Sequence, residues 1–292
     1  MAPRAWGCGR RCPAAQQGPF AGRCHLRDGE PPVRVAAGRG GFTHMLATVP
    51  SRQAAEWLAW DPVGHAFGLF GCASPRQRAY AWFGAAGGRA IPAALLIQRA
   101  GWWLFPRGEV DLRTVAALVR AGTGPRSLTL PRWLAPMAAR AWTHVPAADS
   151  SLWVCTADDF SPSDQHPTQL VTPALFARLG LGRTAFPGVL SPLAAAECAG
   201  RLFVALRAGE AAAIAQGAAA TPQVRAVEQV LTRPEWRGQG FGRSVVSGLT
   251  RDILAEGRLP IYQVQDDNLP SLRLAHSLGY WRHSCFTTFY FD

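Results

Sequence analysis

The sequence contains no lysine, and all 30 of its basic residues are arginine. With 19 acidic residues they give a formal net charge of +11, but no block of five or six consecutive basic residues is present. The sequence also lacks the interleaved aromatic and basic residues of single-strand binders. The abundance of alanine and glycine indicates that the arginine bias is partly genomic. The charge therefore suits a phosphorylated ligand as well as a polyanion, and we predict no nucleic-acid partner.

No run approaches the ~18 apolar residues of a membrane span, and the N-terminus lacks the apolar core of a signal peptide. The seven cysteines are an odd number and are widely spaced, unlike the closely spaced cysteine pairs that form the disulfides of small secreted domains. These absences predict a cytoplasmic protein with no membrane partner. At 292 residues, with 48% apolar and 17% charged residues, the chain is long and apolar enough for two globular domains.

The first 44 residues are rich in arginine and glycine and hold few large apolar residues. Four possible zinc ligands lie there in a C-x3-C-x11-C-H arrangement: Cys8, Cys12, Cys24 and His25. The set lacks the CxxC pairs that are usual for zinc, and the segment has little core to hold a site. We therefore predict no metal. We interpret residues 1–44 as a disordered leader or as an extension outside the native product.

Residues 45–160 hold apolar segments of helical and strand-like length without a chemical motif, which predicts an N-terminal α/β domain. Trp102 and Trp103 are interpreted as part of a strand that packs both of its faces, rather than as a stacking platform. Residues 161–169 are rich in turn formers and polar residues. They predict a linker to a second domain over residues 170–292.

Three strand-length runs in the second domain, 202–207, 211–219 and 226–232, predict an antiparallel meander. The alanine-rich middle run has helical propensity, but its length and flanking turns favour a strand. Residues 237–242, rich in glycine, then precede apolar residues spaced by three and four that predict a helix. Unpaired backbone N–H groups and the positive end of the helix dipole meet at such a junction. Glycines there suit a phosphate or pyrophosphate.

The glycine segment departs from two common phosphate-binding patterns. Arg243 and Ser244 follow the last glycine without the lysine and spacing of a Walker loop, and Arg243 stands where a dinucleotide fingerprint needs its third glycine. The stretch VLTRPEWRGQGFGRSVV instead resembles the acetyl-CoA signature of the GNAT N-acetyltransferases, with an R-G-x-G-x-G loop. The stretch NLPSLRLAHSLGY at 268–280 resembles the N-x-x-S-x-x-L-x-x-x-L-G-[FY] segment that follows the fifth strand in that family.

The resemblance covers about residues 168–292 and implies a GNAT-type α/β fold, with a mixed, mostly antiparallel sheet flanked by helices. Residues 45–160 faintly resemble the degenerate N-terminal repeat of tandem GNAT proteins, which implies two tandem domains. Such a repeat would lack cofactor binding and would shape the acceptor cleft. An unrelated α/β packing domain is the alternative.

The resemblance also implies acetyl-CoA as cosubstrate. Backbone groups at the end of the fourth strand would pair with the pantetheine arm, and loop N–H groups would hold the pyrophosphate, with Arg237 and Arg243 adding charge. Asn268 corresponds to an asparagine that helps to hold the arm, although it also suits an ordinary helix start. The implied cofactor-binding residues are Val230, Leu231, Thr232, Arg237, Gly238, Gln239, Gly240, Phe241, Gly242, Arg243, Asn268 and Ser271.

The chemistry that the resemblance implies is direct transfer of an acetyl group to an amine in a ternary complex, without a covalent enzyme intermediate. Glu228 is the candidate base, because it is expected to share a strand face with Val230 and Thr232. An exposed glutamate paired with an arginine is the alternative for this position. The candidate oxyanion donor is the backbone N–H near Leu231.

The group that protonates the departing thiolate is left open. Ala275 stands where many members have a tyrosine as general acid, and Gln263 where some have a glutamate. Tyr262, Tyr280 or His276 could substitute, and water is a further alternative because thiolates are weakly basic. We therefore predict an N-acetyltransferase that acts on a small-molecule or protein amine. A catalytically inactive GNAT-like CoA-binding or regulatory module is the alternative.

Overall fold

The computed structural model describes residues 33–34, 45–73, 79–86, 89–98, 101–106, 110–121, 126–183, 186–187, 189 and 201–292. The predicted leader and its four possible zinc ligands lie outside this set, except for Val33–Arg34, which pairs with the start of the next strand. Among the helices within these ranges, none is long and apolar enough to cross a membrane.

The described residues form thirteen strands and seven α-helices. The strands are β1 Val33–Arg34, β2 Met45–Val49, β3 Ala79–Ala86, β4 Arg89–Gln98, β5 Trp102–Pro106, β6 Ser127–Pro131, β7 Ala147–Val154, β8 Thr168–Leu170, β9 Arg201–Arg207, β10 Glu210–Ala220, β11 Val224–Thr232, β12 Leu259–Gln265 and β13 Trp281–Tyr290. The helices are α1 Ser51–Leu58, α2 Ala66–Ala73, α3 Leu112–Ala121, α4 Ala135–Ala141, α5 Pro173–Arg178, α6 Phe241–Ala255 and α7 Leu269–Ser277, with 3-10 turns at Arg132–Leu134 and Pro234–Trp236.

The strands form one open sheet in the order β1-β2-β3-β4-β5-β6-β13-β7-β12-β11-β10-β9-β8. Within the described part of the chain, the paired strands are antiparallel except for β5 with β6 and β11 with β12. The predicted α/β fold, with a mixed and mostly antiparallel sheet flanked by helices, is confirmed.

The element order repeats along the chain. The series from β2 to β7 and the series from β8 to β13 each contain a meander, a helix, a strand parallel to the last meander strand, a second helix and a final strand. The two final strands are exchanged in space, because β7 pairs with β12 of the second series and β13 pairs with β6 of the first. β7 and β13 also pair with each other at the centre of the sheet. The predicted domain boundaries at 45–160, 161–169 and 170–292 stay predictions.

The alanine-rich run of the second meander forms β10, so the expectation of a strand there is confirmed. Ala212, Ala213 and Ala215 are buried beside α6, whereas Ala211 and Ile214 belong to a separate apolar cluster. The strand is thus covered on both faces, which its short side chains permit because they let a helix approach the sheet closely.

The adjacent tryptophans of β5 pack on opposite faces of the sheet, as interpreted from the sequence. Trp103 stacks on Phe67 of α2 with ring centroids 5.0 Å apart, and Trp102 belongs to the other apolar cluster of the N-terminal half, with Leu128. Both side chains are buried. Their alternation follows from the two-residue period of a strand.

Candidate functional site

β11 and β12 run parallel only over their first halves. Their register begins with Val224 opposite Leu259 and ends with Val227 opposite Tyr262. Gln229 then adopts a φ of 48° in the left-handed region, and the register between β10 and β11 shifts at the same place. A bulge of this kind bends a strand. Beyond it, a cavity of about 560 Å³ lies between the ends of the two strands.

Both halves of the chain line this cavity. Its lining includes four of the predicted site residues, Glu228, Val230, Asn268 and Ser271. It also includes residues that the sequence analysis missed, from α2, β7 and β13: Phe67, Ala148, Ser150, Thr288 and Tyr290. No local motif marks the second group. Four of these residues, Ala148, Ser150, Thr288 and Tyr290, lie on the exchanged final strands β7 and β13.

The exposure of the β11 side chains alternates around the bulge. Glu228, Val230 and Thr232 are partly buried, whereas Gln229 and Leu231 are exposed. Glu228 lies opposite Gln216 of β10, whereas Leu231 lies opposite Ile214. The bulge therefore places Glu228 on the strand face of Leu231, and the pairing does not support the expected shared face with Val230 and Thr232. Glu228 lines the cavity, and its role as the base stays a prediction.

The backbone N–H groups of β11 alternate between its two edges. Arg233, just beyond the strand, donates its N–H to the carbonyl of Ala212 at the edge of β10, with an N···O distance of 3.0 Å. In an antiparallel pair the residues that exchange such bonds alternate with residues that do not. The N–H of Leu231 therefore faces β10, whereas that of Thr232 faces away from it. Val230, next to the bulge, lines the cavity, and the expected oxyanion donor near Leu231 stays a prediction.

The glycine loop joins β11 to α6 in a left-handed conformation. Gly238 and Gly240 have φ values of 74° and 87°, which side chains with a Cβ rarely adopt. Gly240 is the N-cap of α6 and provides no capping side chain, so the first N–H groups of the helix lack both an intrahelical partner and a cap from this residue. A Cβ built on Gly242 would lie 2.9 Å from Thr232 Oγ1. The loop therefore adjoins the end of the strand that lines the cavity.

The two arginines of the loop reach backbone carbonyls. Arg237 Nε donates to the carbonyl of Thr232 at 3.2 Å, and Arg243 Nη2 donates to the carbonyl of Ser277 near the end of α7 at 3.1 Å. Both guanidinium groups thus brace the elements around the loop. Their positive charge remains within the loop region, where it favours an anion.

The three side chains that could replace the missing acid differ in their surroundings. Tyr262 lines the cavity and is hydrogen-bonded to Ser271, and burial raises its pKa although that bond opposes the shift. Tyr280 is fully buried and bonded to Thr250, away from the cavity lining. His276 is exposed on α7. Of the three, Tyr262 is the one that lines the cavity.

A polar network underlies the cavity wall formed by β7 and β12. Gln263 Nε2 donates to Ser150 Oγ at 3.2 Å. Gln263, which stands at the position where a glutamate was considered, therefore contacts β7 of the other half. Next to it, Ser151 Oγ and Arg132 Nη2 donate to Asp266, at 2.8 and 2.7 Å. These contacts join the 3-10 turn after β6 to the end of β12.

The described residues contain no cluster of three or more histidine, cysteine, aspartate or glutamate side chains with the geometry of a metal site. Burial raises the pKa of Cys72 to about 11 and that of Cys155 to about 12. Both thiols are therefore protonated near neutral pH and are poor nucleophiles.

Comparison with known proteins supports the motif-based recognition. Residues 204–288 match the family model described as FR47-like protein, and no curated protein matches the chain. Among solved structures, a GCN5-related N-acetyltransferase from Sphaerobacter thermophilus aligns with a TM-score of 0.59 at 14% identity, covering 84% of this chain and 94% of that one.

Two further structures show the same likeness. A GCN5-related N-acetyltransferase-like protein from Streptococcus suis 89/1591 aligns with a TM-score of 0.54 at 16% identity, covering 83% of this chain and 98% of that one. A tandem GNAT protein from the clavulanic acid biosynthesis pathway aligns with a TM-score of 0.51 at 14% identity, covering 84% and 97%. The chain has the GNAT fold, and the GNAT-type unit recognised in its C-terminal half is confirmed.

Proposed function

We propose that this chain is an acetyl-CoA-dependent N-acetyltransferase that transfers an acetyl group to an amine by direct attack in a ternary complex. One observation carries the proposal: the cavity between the diverging ends of β11 and β12 adjoins a glycine-capped helix N-terminus. Within this arrangement, Glu228 and Tyr262 line one cavity. The GNAT fold supports the general activity, and the local geometry supports the assignment of roles.

The donor groups around the loop suit the phosphates and the arm of CoA. Open N–H groups at the start of α6 and the charges of Arg237 and Arg243 would hold the pyrophosphate. The N–H group of Thr232, which faces away from β10, would pair with a pantetheine amide as an added strand would. Asn268 uses its side-chain oxygen to accept the Ser271 N–H at 3.2 Å, which leaves its amide N–H groups to donate to the arm.

The reaction forms a C–N bond between the amine and the acetyl carbon and breaks the C–S bond of the thioester. Glu228 would take the proton that the amine loses, directly or through water. The N–H of Val230 would stabilise the oxyanion of the tetrahedral intermediate. Tyr262 would donate its proton to the departing thiolate, since its raised pKa keeps it protonated at neutral pH.

The N-terminal half would shape the acceptor end of the cavity. Phe67 of α2 supplies an apolar surface there, and Ala148 and Ser150 of β7 supply small side chains beside it. The role predicted for the first repeat, shaping the acceptor cleft, is retained as a proposal on this basis.

The second candidate function is a CoA-binding or regulatory module without turnover. It is favoured by Ala275, which is fully buried at the position where many family members have their acidic tyrosine. The test is to incubate the purified chain with acetyl-CoA and a panel of amines, to measure free thiol, and to detect acetylated product by mass spectrometry. Acetylated amine supports the enzyme. CoA binding in calorimetry without turnover supports the module, and failure to bind CoA contradicts both.

A further inference from the structure

The segment between the two series of elements lies along the first turns of α6. The N–H of Ser163 donates to Ser247 Oγ at 2.9 Å, and the N–H of His166 donates to Ser244 Oγ at 3.2 Å. Both serine hydroxyls are buried in α6. The segment is therefore held on the helix by its backbone, which fixes where its side chains meet the glycine loop.

Two of those side chains contact a single carbonyl group of the loop. His166 Nε2 lies 2.7 Å from the carbonyl oxygen of Gln239, and Gln165 Nε2 donates to the same oxygen at 3.3 Å. A carbonyl oxygen only accepts, so the Nε2 atom of His166 carries the hydrogen. The ring of His166 also stacks on Phe241, with centroids 3.7 Å apart and an interplanar angle of 11°.

This carbonyl determines the direction of the next N–H group. The peptide between Gln239 and Gly240 is planar and trans, so its C=O and N–H bonds point in opposite directions. With the carbonyl held toward His166, the N–H of Gly240 points away from the segment. We propose that His166 is a positioning residue, which orients the peptide between Gln239 and Gly240 so that the Gly240 N–H can bind the pyrophosphate of CoA. This inference rests on the proposed function.

The orientation needs an external partner because glycine does not provide one. Gly240 populates both signs of φ readily, and its N-cap position provides no side chain to hold the turn. Separate contacts restrain the side chain of Gln239. Arg207 donates to its Oε1 atom, and its Nε2 atom donates to the carbonyl of Glu235. These contacts hold the side chain, whereas His166 and Gln165 hold the peptide.

The test compares two variants that separate the ring from the hydrogen bond. His166→Phe keeps a flat ring against Phe241 and removes the donor, whereas His166→Gln removes the ring and keeps an N–H donor. Each variant and the wild-type chain are titrated with CoA by calorimetry and with pantetheine, which lacks the pyrophosphate, by NMR. Losing one oriented N–H contact to an anion weakens CoA binding by roughly tenfold. We expect that loss in His166→Phe, near-wild-type CoA affinity in His166→Gln, and unchanged pantetheine affinity in both.

The outcomes that overturn the inference are distinct. If His166→Phe binds CoA as the wild type does, or loses CoA and pantetheine equally, His166 does not act through the pyrophosphate. If His166→Phe does not fold, a tenfold loss for CoA in the folded His166→Gln variant overturns the inference, and retained affinity supports it. If the wild-type chain does not bind CoA, the proposed function fails and the inference fails with it.

Discussion

The hydroxyl groups of Thr250 and Tyr280 share a hydrogen bond of 2.6 Å inside the core of the C-terminal half. Burial raises the pKa of Tyr280 far above its ordinary value, so this hydroxyl stays protonated and has a structural partner. Tyr280→Phe leaves the buried Thr250 hydroxyl without its hydrogen-bond partner, which lowers the free energy of unfolding by about 1–3 kcal/mol. We expect a lower urea midpoint and unchanged turnover. A large fall in turnover at full stability would contradict this.

Tyr262→Phe should lower turnover rather than stability, and it forms a matched pair with Tyr280→Phe. Removing the acid lowers kcat by roughly 100-fold, and CoA affinity stays close to that of the wild type. Because burial raises the pKa of Tyr262, the acid is active below that pKa and is lost only as the pH rises through it, above the ordinary value of ~10. A wild-type rate that falls in this alkaline range, with the fall absent in the variant, is the expected pH profile. An unchanged kcat in Tyr262→Phe would show that water, and not Tyr262, protonates the departing thiolate.

Gly240→Val tests the glycine loop. A Cβ there would overlap Gln165 Oε1, and the φ of 87° disfavours any side chain, so the loop must change shape. Losing two charge-assisted contacts at ~1.5 kcal/mol each weakens CoA binding by roughly 100-fold. Gly209→Val is the control, because its φ is 83° with open space around the Cβ and it lies in the turn between β9 and β10. Normal CoA affinity in Gly240→Val would show that the pyrophosphate binds elsewhere.

Glu228→Gln separates the base from cofactor binding. The amide keeps the shape of the side chain and cannot take a proton, so CoA affinity stays nearly unchanged while turnover falls. The fall is larger at low pH than at high pH, where free amine is already abundant. Glu56→Gln, on the exposed surface of α1, is the control. Calorimetry and initial rates across pH measure both effects, and wild-type turnover in Glu228→Gln would place the base at another residue.

The glycine loop was predictable because its signal is local. A strand, the glycines at 238 and 240 and an amphipathic helix follow one another in the chain, and each has a short-range pattern. The direction of the N–H groups was not predictable in the same way. Side-chain alternation along β11 is visible in the sequence, but the edge that faces β10 depends on the register of the pair and on the bulge at Gln229. The expectation that the oxyanion donor lies near Leu231 therefore stays a prediction.

The part of the cavity lining that comes from α2, β7 and β13 was beyond local reasoning for a different reason. Phe67, Ser150 and Thr288 come from three distant parts of the chain, and Ser150 and Thr288 lie on the exchanged strands β7 and β13. An isolated apolar strand carries no signal for which sheet it joins. His166 was likewise assigned to a linker, since turn-forming composition does not reveal a contact with a loop far along the chain.

The exchange of β7 and β13 also imposes an order on biosynthesis. β6 ends at Pro131, but its neighbour in the sheet begins at Trp281, so the ribosome makes the N-terminal series long before the strand that completes its edge. Until then β6 presents unpaired backbone groups, the feature of a nascent chain that invites mispairing. The N-terminal series thus reaches its final form only when the last strand of its partner emerges. A premature stop within the second series would leave both halves incomplete.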